Sequence, residues 1–335
     1  MTTEMTYAEA ARLALEQEME RDPSVWALGE DLGFEGGSAG QYRGLQAKFG
    51  ADRIVDTPIS ESMIMAAAVG AAAAGTRPVA ELRFADFGMC AADEIVNQAA
   101  KMRYMFNGQA RVPLVSRQAM GLRNGVAAQH SQSTEAWWVH VPGLVVVAPA
   151  TPADNHGLLK AAIRCDDPVV YMEHKGLWGL KGEVDPDAPP VALGTAERVT
   201  RGDDLTIVTW SAMRQVCAEA CAALRAQDIR AELIDLRTLW PWDRDMVMES
   251  VARTGRLLVA HEAVRVAGFG AEIVAEVAEE LWGSLRAPVR RLGAPRTPVP
   301  YSIPLEDACR VTAAMVRDAA VEIVKGKPAS PVSGA

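Results

Sequence analysis

Apolar and polar positions follow one another along the chain in short blocks, and their period switches between that of a helix and that of a strand. Ala8, Leu13, Leu15 and Met19 recur at helical spacing, which predicts a helix over Thr6–Arg21. "SVWALGED" (24–31) is a short apolar run ending in a Gly-acid turn and predicts a buried strand, and "GGSAGQYRG" (36–44) predicts a loop. After Glu61 come thirteen uncharged residues, Ser62–Ala74, rich in alanine. They predict a closely packed helix, stopped by Gly75 with Pro78 beyond. "PVAELRF" (78–84), "VPLVSRQ" (112–118), "LVVVAPA" (144–150) and "PVVYMEH" (168–174) predict strands, with helices over Asp93–Tyr104 and Asp154–Cys165. Strands separated by helices argue for a mostly parallel sheet with helices on its faces.

The Pro-rich stretch "KGEVDPDAPPVALG" (181–194) breaks this rhythm and reads as a linker. A second alternation follows. It predicts strands over 204–210, 231–239, 256–262 and 287–295, and helices over Met213–Gln227, Glu272–Leu285 and Leu305–Lys325. The expected fold is α/β with two doubly wound domains, 1–185 and 190–325, followed by a frayed tail, 326–335.

Composition narrows the class. The 335 residues give room for two domains, and 49% hydrophobic with 23% charged residues is the balance of a soluble globular protein. A net charge of −9 argues against a nucleic-acid partner, which needs a basic face. The 5 Cys show no disulfide or zinc spacing, and Cys217 and Cys221 read as small apolar fillers on a helix. The N-terminal stretch is acidic and amphipathic, unlike a secretory or transit signal. The run 62–74 is shorter than the ~20 residues that cross a bilayer. A cytoplasmic protein without membrane contact is expected.

Familiar chemical motifs are missing. There is no G-x-x-x-x-G-K-[ST] phosphate loop and no G-x-S-x-G elbow, and "GFGAEI" (268–273) lacks the third glycine of a dinucleotide fingerprint. Two stretches remain. In "DTPISE" (56–61) either Thr57 with Pro58 or Ser60 can open the helix, and Glu61 then lies in its first turn. Glu61 reads either as a solvated carboxylate favoured by the helix dipole, or as a desolvated acid able to pass its proton to a nitrogen base. In "NGVAAQHSQSTEAWWVHVPG" (124–143), His130 sits among small and polar residues. It reads either as a loop histidine with a structural hydrogen bond or as an acid or donor. His140, His156, His174 and His261 read as structural.

Seven blocks carry a resemblance: "DTPISE" (56–61), "AELRFADF" (80–87), "EIVNQAAKMRY" (94–104), "AAQHSQ" (127–132), "HVPGLVVVAP" (140–149), "IDLRTLWPWD" (234–243) and "GRLLVAHEA" (255–263). Together, and in order, they resemble the beta subunit of thiamine-diphosphate-dependent 2-oxo acid dehydrogenases, the first component of pyruvate, branched-chain and acetoin dehydrogenase complexes. The resemblance implies a pyrimidine-binding domain followed by a transketolase-like C-terminal domain. It implies that Glu61 hydrogen-bonds the aminopyrimidine of thiamine diphosphate, that Phe87 packs on that ring, and that His130 assists passage of the acyl group to a lipoyl arm. It aligns Leu114, Ala162, Ile163, Cys165 and Asp167 with positions that hold a structural potassium ion in some relatives, mostly through main-chain carbonyls, with Cys165 standing where relatives have an acid. The family's G-D-G…N motif for diphosphate and magnesium is absent; "RGDD" (201–204) is the nearest string. An alpha subunit is therefore expected to complete the site in a two-alpha, two-beta heterotetramer, with a lipoyl-bearing dihydrolipoyl acyltransferase as the next partner. Pyruvate, branched-chain 2-oxo acid and acetoin remain open as substrates. A nucleotide-dependent oxidoreductase built on "GFGAEI" and a non-catalytic assembly or regulatory subunit are the competing readings.

Overall fold

Thr6 opens the first helix, Tyr7–Arg21, through a capping box: its hydroxyl accepts from Glu9 N (3.2 Å) while the Glu9 carboxylate accepts from Thr6 N (2.7 Å). The computed structural model describes residues 1–326, so the expected tail lies outside the described residues from 327 onward. Thr3–Thr6 pairs antiparallel with Lys181–Val184. The first residues of the expected linker are thus a strand that brings both ends of the N-terminal half together.

Two sheets carry the fold. The first has seven strands in the order Thr238–Trp240, Val145–Val147, Val169–His174, Val115–Met120, Arg77–Leu82, Val25–Gly29, Ile54–Asp56. Every neighbouring pair is parallel except the first. The second has five strands in the order Arg290–Ala294, Leu257–Val264, Leu205–Thr209, Ala231–Asp235, Glu197–Thr200, parallel but for the last pair. Central strands such as Val115–Met120 and Val169–His174 are buried along their whole length, as strands covered on both faces must be.

Several expectations change. The strand expected over 231–239 is two strands in two different sheets. The chain turns between them at Arg237 (φ 57°), whose guanidinium donates to Thr195 O (3.0 Å) and Asp154 Oδ1 (3.2 Å). The helix expected over Asp93–Tyr104 starts as a π-helical segment, Glu94–Ala99, with Asn97 and Gln98 folding back onto the Asp93 carboxylate. Leu305–Lys325 divides into Ile303–Asp307 and Ala313–Lys325. The helix Arg244–Thr254 was not expected. Cys217 and Cys221 are buried free thiols, pushed up by burial to about 12 and about 11, as apolar fillers should be.

His261 is fully buried, stacked on Trp210 (5.2 Å between centroids, 14° between planes), and its Nδ1 donates to Ala263 O (3.0 Å). Burial drives its ring down to about 4. The unfolded ring takes a proton near its ordinary value of ~6.5, whereas the folded ring resists until about 4. Its stabilising contribution is therefore complete above ~6.5 and drains away as pH falls towards 4, by up to about 3 kcal/mol. Thermal unfolding followed from pH 7 to pH 4 should show a falling midpoint, with a shallower fall in His261→Gln. Equal slopes in the two proteins would refute the buried neutral ring.

Candidate active site

The site forms where parallel strands of the first sheet end. Ligands in open α/β sheets collect outside such carboxyl edges. Strand Val25–Gly29 delivers Glu30, and Gly29 O accepts from Thr57 N (2.9 Å), which aims the following segment at the same edge. Ser60 occupies the cap position without a side-chain capping bond, and the helix Glu61–Ala73 begins at Glu61. Glu61 is half-buried. The Glu30 carboxyl is held above the usual carboxylate range by burial first and by the charge of Glu61 second, so the two acids share one neighbourhood.

The helix behind Glu61 has two faces. Ile64, Met65, Ala68, Val69 and Ala72 are buried. Met63, Ala66, Ala67, Gly70 and Ala73 are exposed, an apolar stripe of small side chains open to the outside. The buried face packs on the 3₁₀ segment Ala85–Ala91, where Ser62 Oγ donates to Cys90 O. A side chain at Gly88 would meet the Trp138 ring at 2.8 Å, so glycine is required there to bring this segment down onto the core.

Strand Arg77–Leu82 leads into Phe84 and then Phe87. His130 stands edge-on to both, with centroids 4.7 Å from Phe84 and 5.3 Å from Phe87, and the two phenyl rings lie 5.6 Å apart. The loop carrying His130 is held from three sides. Asp86 Oδ1 accepts from Gln132 N (3.2 Å) and Gln132 Nε2 (2.8 Å). Glu262 Oε1 accepts from Leu122 N (2.9 Å) and Ser133 Oγ (3.1 Å) and lies 2.8 Å from His174 Nε2. Glu306 accepts from Gly125 N (2.8 Å). Burial raises the Glu262 carboxyl, but His174 and these donors outweigh it and keep the group below the usual range. Lys175 follows strand Val169–His174, donates to His130 O, and sets its ammonium 5.1 Å from the Phe84 centroid. It is 2% exposed, and burial pulls it down to about 8.

The structure thus gathers Glu61, Phe87 and His130 at one edge, and adds Glu30, Lys175 and Glu262, which the sequence reading did not single out. Their signal was position: Glu30 and Lys175 each follow a buried strand directly. Leu114, Ala162, Ile163, Cys165 and Asp167 lie together at the opposite, amino edge of the sheet. Arginine side chains already reach into this corner. Arg77 Nη1 donates to Ile163 O (3.1 Å) and Cys165 O (2.9 Å), and Arg103 Nη1 grips the Asp167 carboxylate at 2.6 Å. Leu114 O accepts from Val169 N (2.9 Å) and Ala162 O from Cys165 N (3.2 Å). In "RGDD", Asp203 pairs with Arg253 and Arg230 on the second sheet's side of the molecule. Gly268 and Gly270 of "GFGAEI" make room for the His261 ring, which a Cβ would meet at 2.7 and 2.9 Å.

Residues 3–180 match the family description "Transketolase, pyrimidine binding domain" and residues 194–316 match "Transketolase, C-terminal domain". The beta subunit of acetoin:2,6-dichlorophenolindophenol oxidoreductase from Cupriavidus necator is 47% identical over 337 residues, covering 97% of this chain and 99% of that one. The 2-oxoisovalerate dehydrogenase subunit beta of Bacillus subtilis is 40% identical, covering 90% and 93%. The pyruvate dehydrogenase E1 component subunit beta of Rickettsia bellii is 42% identical with the same coverage. This chain belongs to the 2-oxo acid dehydrogenase first-component beta-subunit family. That family is thiamine-diphosphate-dependent, and its members are subunits of oxidoreductase components. A split-gene transketolase solved as an inactive beta4 tetramer shares the fold, with a TM-score of 0.80 at 24% identity, covering 97% of this chain and 99% of that one. In this beta subunit the pyrimidine-binding match contains Glu30, Glu61, Phe87, His130 and Lys175, and the C-terminal match contributes Glu262 and Glu306.

Proposed function

We propose that this beta subunit supplies half of a split site, in which a 2-oxo acid is decarboxylated or acetoin is cleaved and the acyl group passes to the lipoyl arm of an acyltransferase. The observation that carries this is the pair Glu30 and Glu61 at the mouth of a helix whose outer face is bare and apolar, beside the Phe84, Phe87 and His130 cluster. These residues suit an aminopyrimidine, which wants a carboxyl at a ring nitrogen and a flat apolar cover. Glu61 would hold the ring through that nitrogen, and Phe87 would cover it. Thiamine diphosphate, when bound, supplies the carbon that attacks a carbonyl. The phosphate arm and magnesium fall to an alpha subunit seated on the open helix face, because "RGDD" is engaged elsewhere.

Glu61 would present its carboxyl to the ring nitrogen, and its charge, after burial, helps to hold the nearby Glu30 carboxyl above the usual carboxylate range. His130 is held edge-on by two phenyl rings and by Lys175 at its backbone, so its imidazole keeps one orientation as a donor. The same reading divides the chain into a pyrimidine-binding unit, 1–185, and a C-terminal unit, 190–325. Among the described residues no helix is long and apolar enough to cross a membrane; a cytoplasmic location belongs to this proposal.

The acetoin substrate is favoured by one observation: the Cupriavidus relative is more similar, and over more of the chain, than the two 2-oxo acid relatives. The co-purified alpha–beta pair should be assayed with acetoin, pyruvate and branched-chain 2-oxo acids, using dichlorophenolindophenol as electron acceptor. Turnover of none of them would end the proposal. His130→Ala should divide the activities. Dye-linked turnover should persist in part, while acyl transfer to lipoamide falls by about 10²–10³-fold, the effect of losing one well-placed donor. Equal loss of both, or of neither, would contradict a transfer role.

A further inference from the structure

We infer that the Arg77 guanidinium is the resident cation at the C-terminal end of helix Pro152–Arg164, standing where a metal ion would otherwise bind. The last carbonyls of a helix lack intrahelical donors and carry the negative end of its dipole, so this end attracts positive charge. Arg77 meets that demand in three places. Nη1 donates to Ile163 O (3.1 Å) and Cys165 O (2.9 Å), and Nη2 to Asp166 Oδ1 (2.6 Å). The other Asp166 oxygen takes Arg111 Nη1 (2.6 Å), and the neighbouring Asp167 takes Arg103. Every anionic oxygen of this corner therefore already faces a guanidinium.

The arginine is also fixed at its base. It begins the strand Arg77–Leu82, and its backbone N donates to Ser24 O (2.9 Å). A planar fork anchored this way is matched to two carbonyls and a carboxylate, and unlike a bound ion it does not dissociate. Cys165 offers a thiol that burial keeps protonated, and any ion at the two carbonyls would meet the guanidinium's positive charge. The hydrogen bond from Arg77 is also the main reason the Asp166 carboxyl lies below the usual range. The helix end is thus clamped to the amino edge of the first sheet independently of salt composition.

The test uses the alpha–beta assembly in potassium chloride and in choline chloride at equal ionic strength. Hydrogen–deuterium exchange is read in peptides spanning residues 158–170, so that ion sites elsewhere do not intrude. Exchange there should agree within about twofold between the two salts. Slowing by potassium beyond that would overturn the inference. Arg77→Met, in choline chloride, should speed exchange in the same peptides by tenfold or more. Unchanged exchange in a correctly assembled variant would overturn the inference as well. If the variant does not assemble, the comparison of salts in the native protein decides alone.

Discussion

Glu61→Gln is expected to leave the alpha–beta assembly intact and to lower turnover by about 10²–10⁴-fold, the range for one acid–base contribution. The amide has the size and shape of the carboxyl, so the first turn of Glu61–Ala73 and its packing on the segment 85–91 should survive. What is lost is a proton that can move. The amide donates a hydrogen bond but does not exchange a proton with a ring nitrogen near neutral pH. A second reading should move in parallel: with Glu61 uncharged, the Glu30 carboxyl loses the like charge that helps to raise it and should ionise more readily. Turnover at saturating thiamine diphosphate and magnesium checks the first outcome. Near-native rates would remove Glu61 from the proposed chemistry.

The other large effect concerns the chain on its own. Without an alpha subunit it should show no turnover, bind thiamine diphosphate poorly, and self-associate. The outer stripe of Glu61–Ala73 is bare, Ile59 at its mouth is 79% exposed, and Trp137 is 63% exposed. Exposed apolar side chains of this kind suit an interface. Obligate interfaces often exceed about 2,000 Å² and have the character of a divided core. Co-expression with the alpha subunit should give a stable heterotetramer with magnesium-dependent cofactor binding. Calorimetry and light scattering on the lone chain and on the pair separate these outcomes. Tight cofactor binding by a monodisperse lone chain would defeat the split-site proposal.

Local patterns announced much of this structure. The spacing of Ala8, Leu13, Leu15 and Met19 marked the first helix, Gly75 the end of the Ala-rich one, and buried apolar runs the parallel strands. What escaped depended on partners distant in the chain. Ile54–Asp56 and Glu197–Thr200 are too short to show a period, and become strands only because a neighbour offers hydrogen bonds. The run 231–239 looks continuous because its turn is made by Arg237, a residue with no turn signature, held by contacts to Asp154 and Thr195. Around the site, Glu61 stood out as a carboxylate before an uncharged, Ala-rich run, and His130 because its neighbours are small and polar. Lys175 and Glu262 did not, because their meaning lies in reaching the His130 loop from other elements. Arg77 looked like an ordinary residue before a proline, and only the folded chain sets it against the carbonyls of Ile163 and Cys165.

The short strand Thr238–Trp240 comes from the far half of the chain, yet it forms the border of the first sheet beside Val145–Val147. Such a clasp constrains recombination. A chimaera joined within the Pro-rich stretch near residue 190 would take its N-terminal half from one parent and this border strand from another. The two would have to agree in register and side-chain shape across the junction. A mismatch would leave Val145–Val147 as an open apolar edge, the kind of surface on which chains stick together. Viable crossovers should therefore avoid that stretch, or carry residues 238–240 along with the sheet they close.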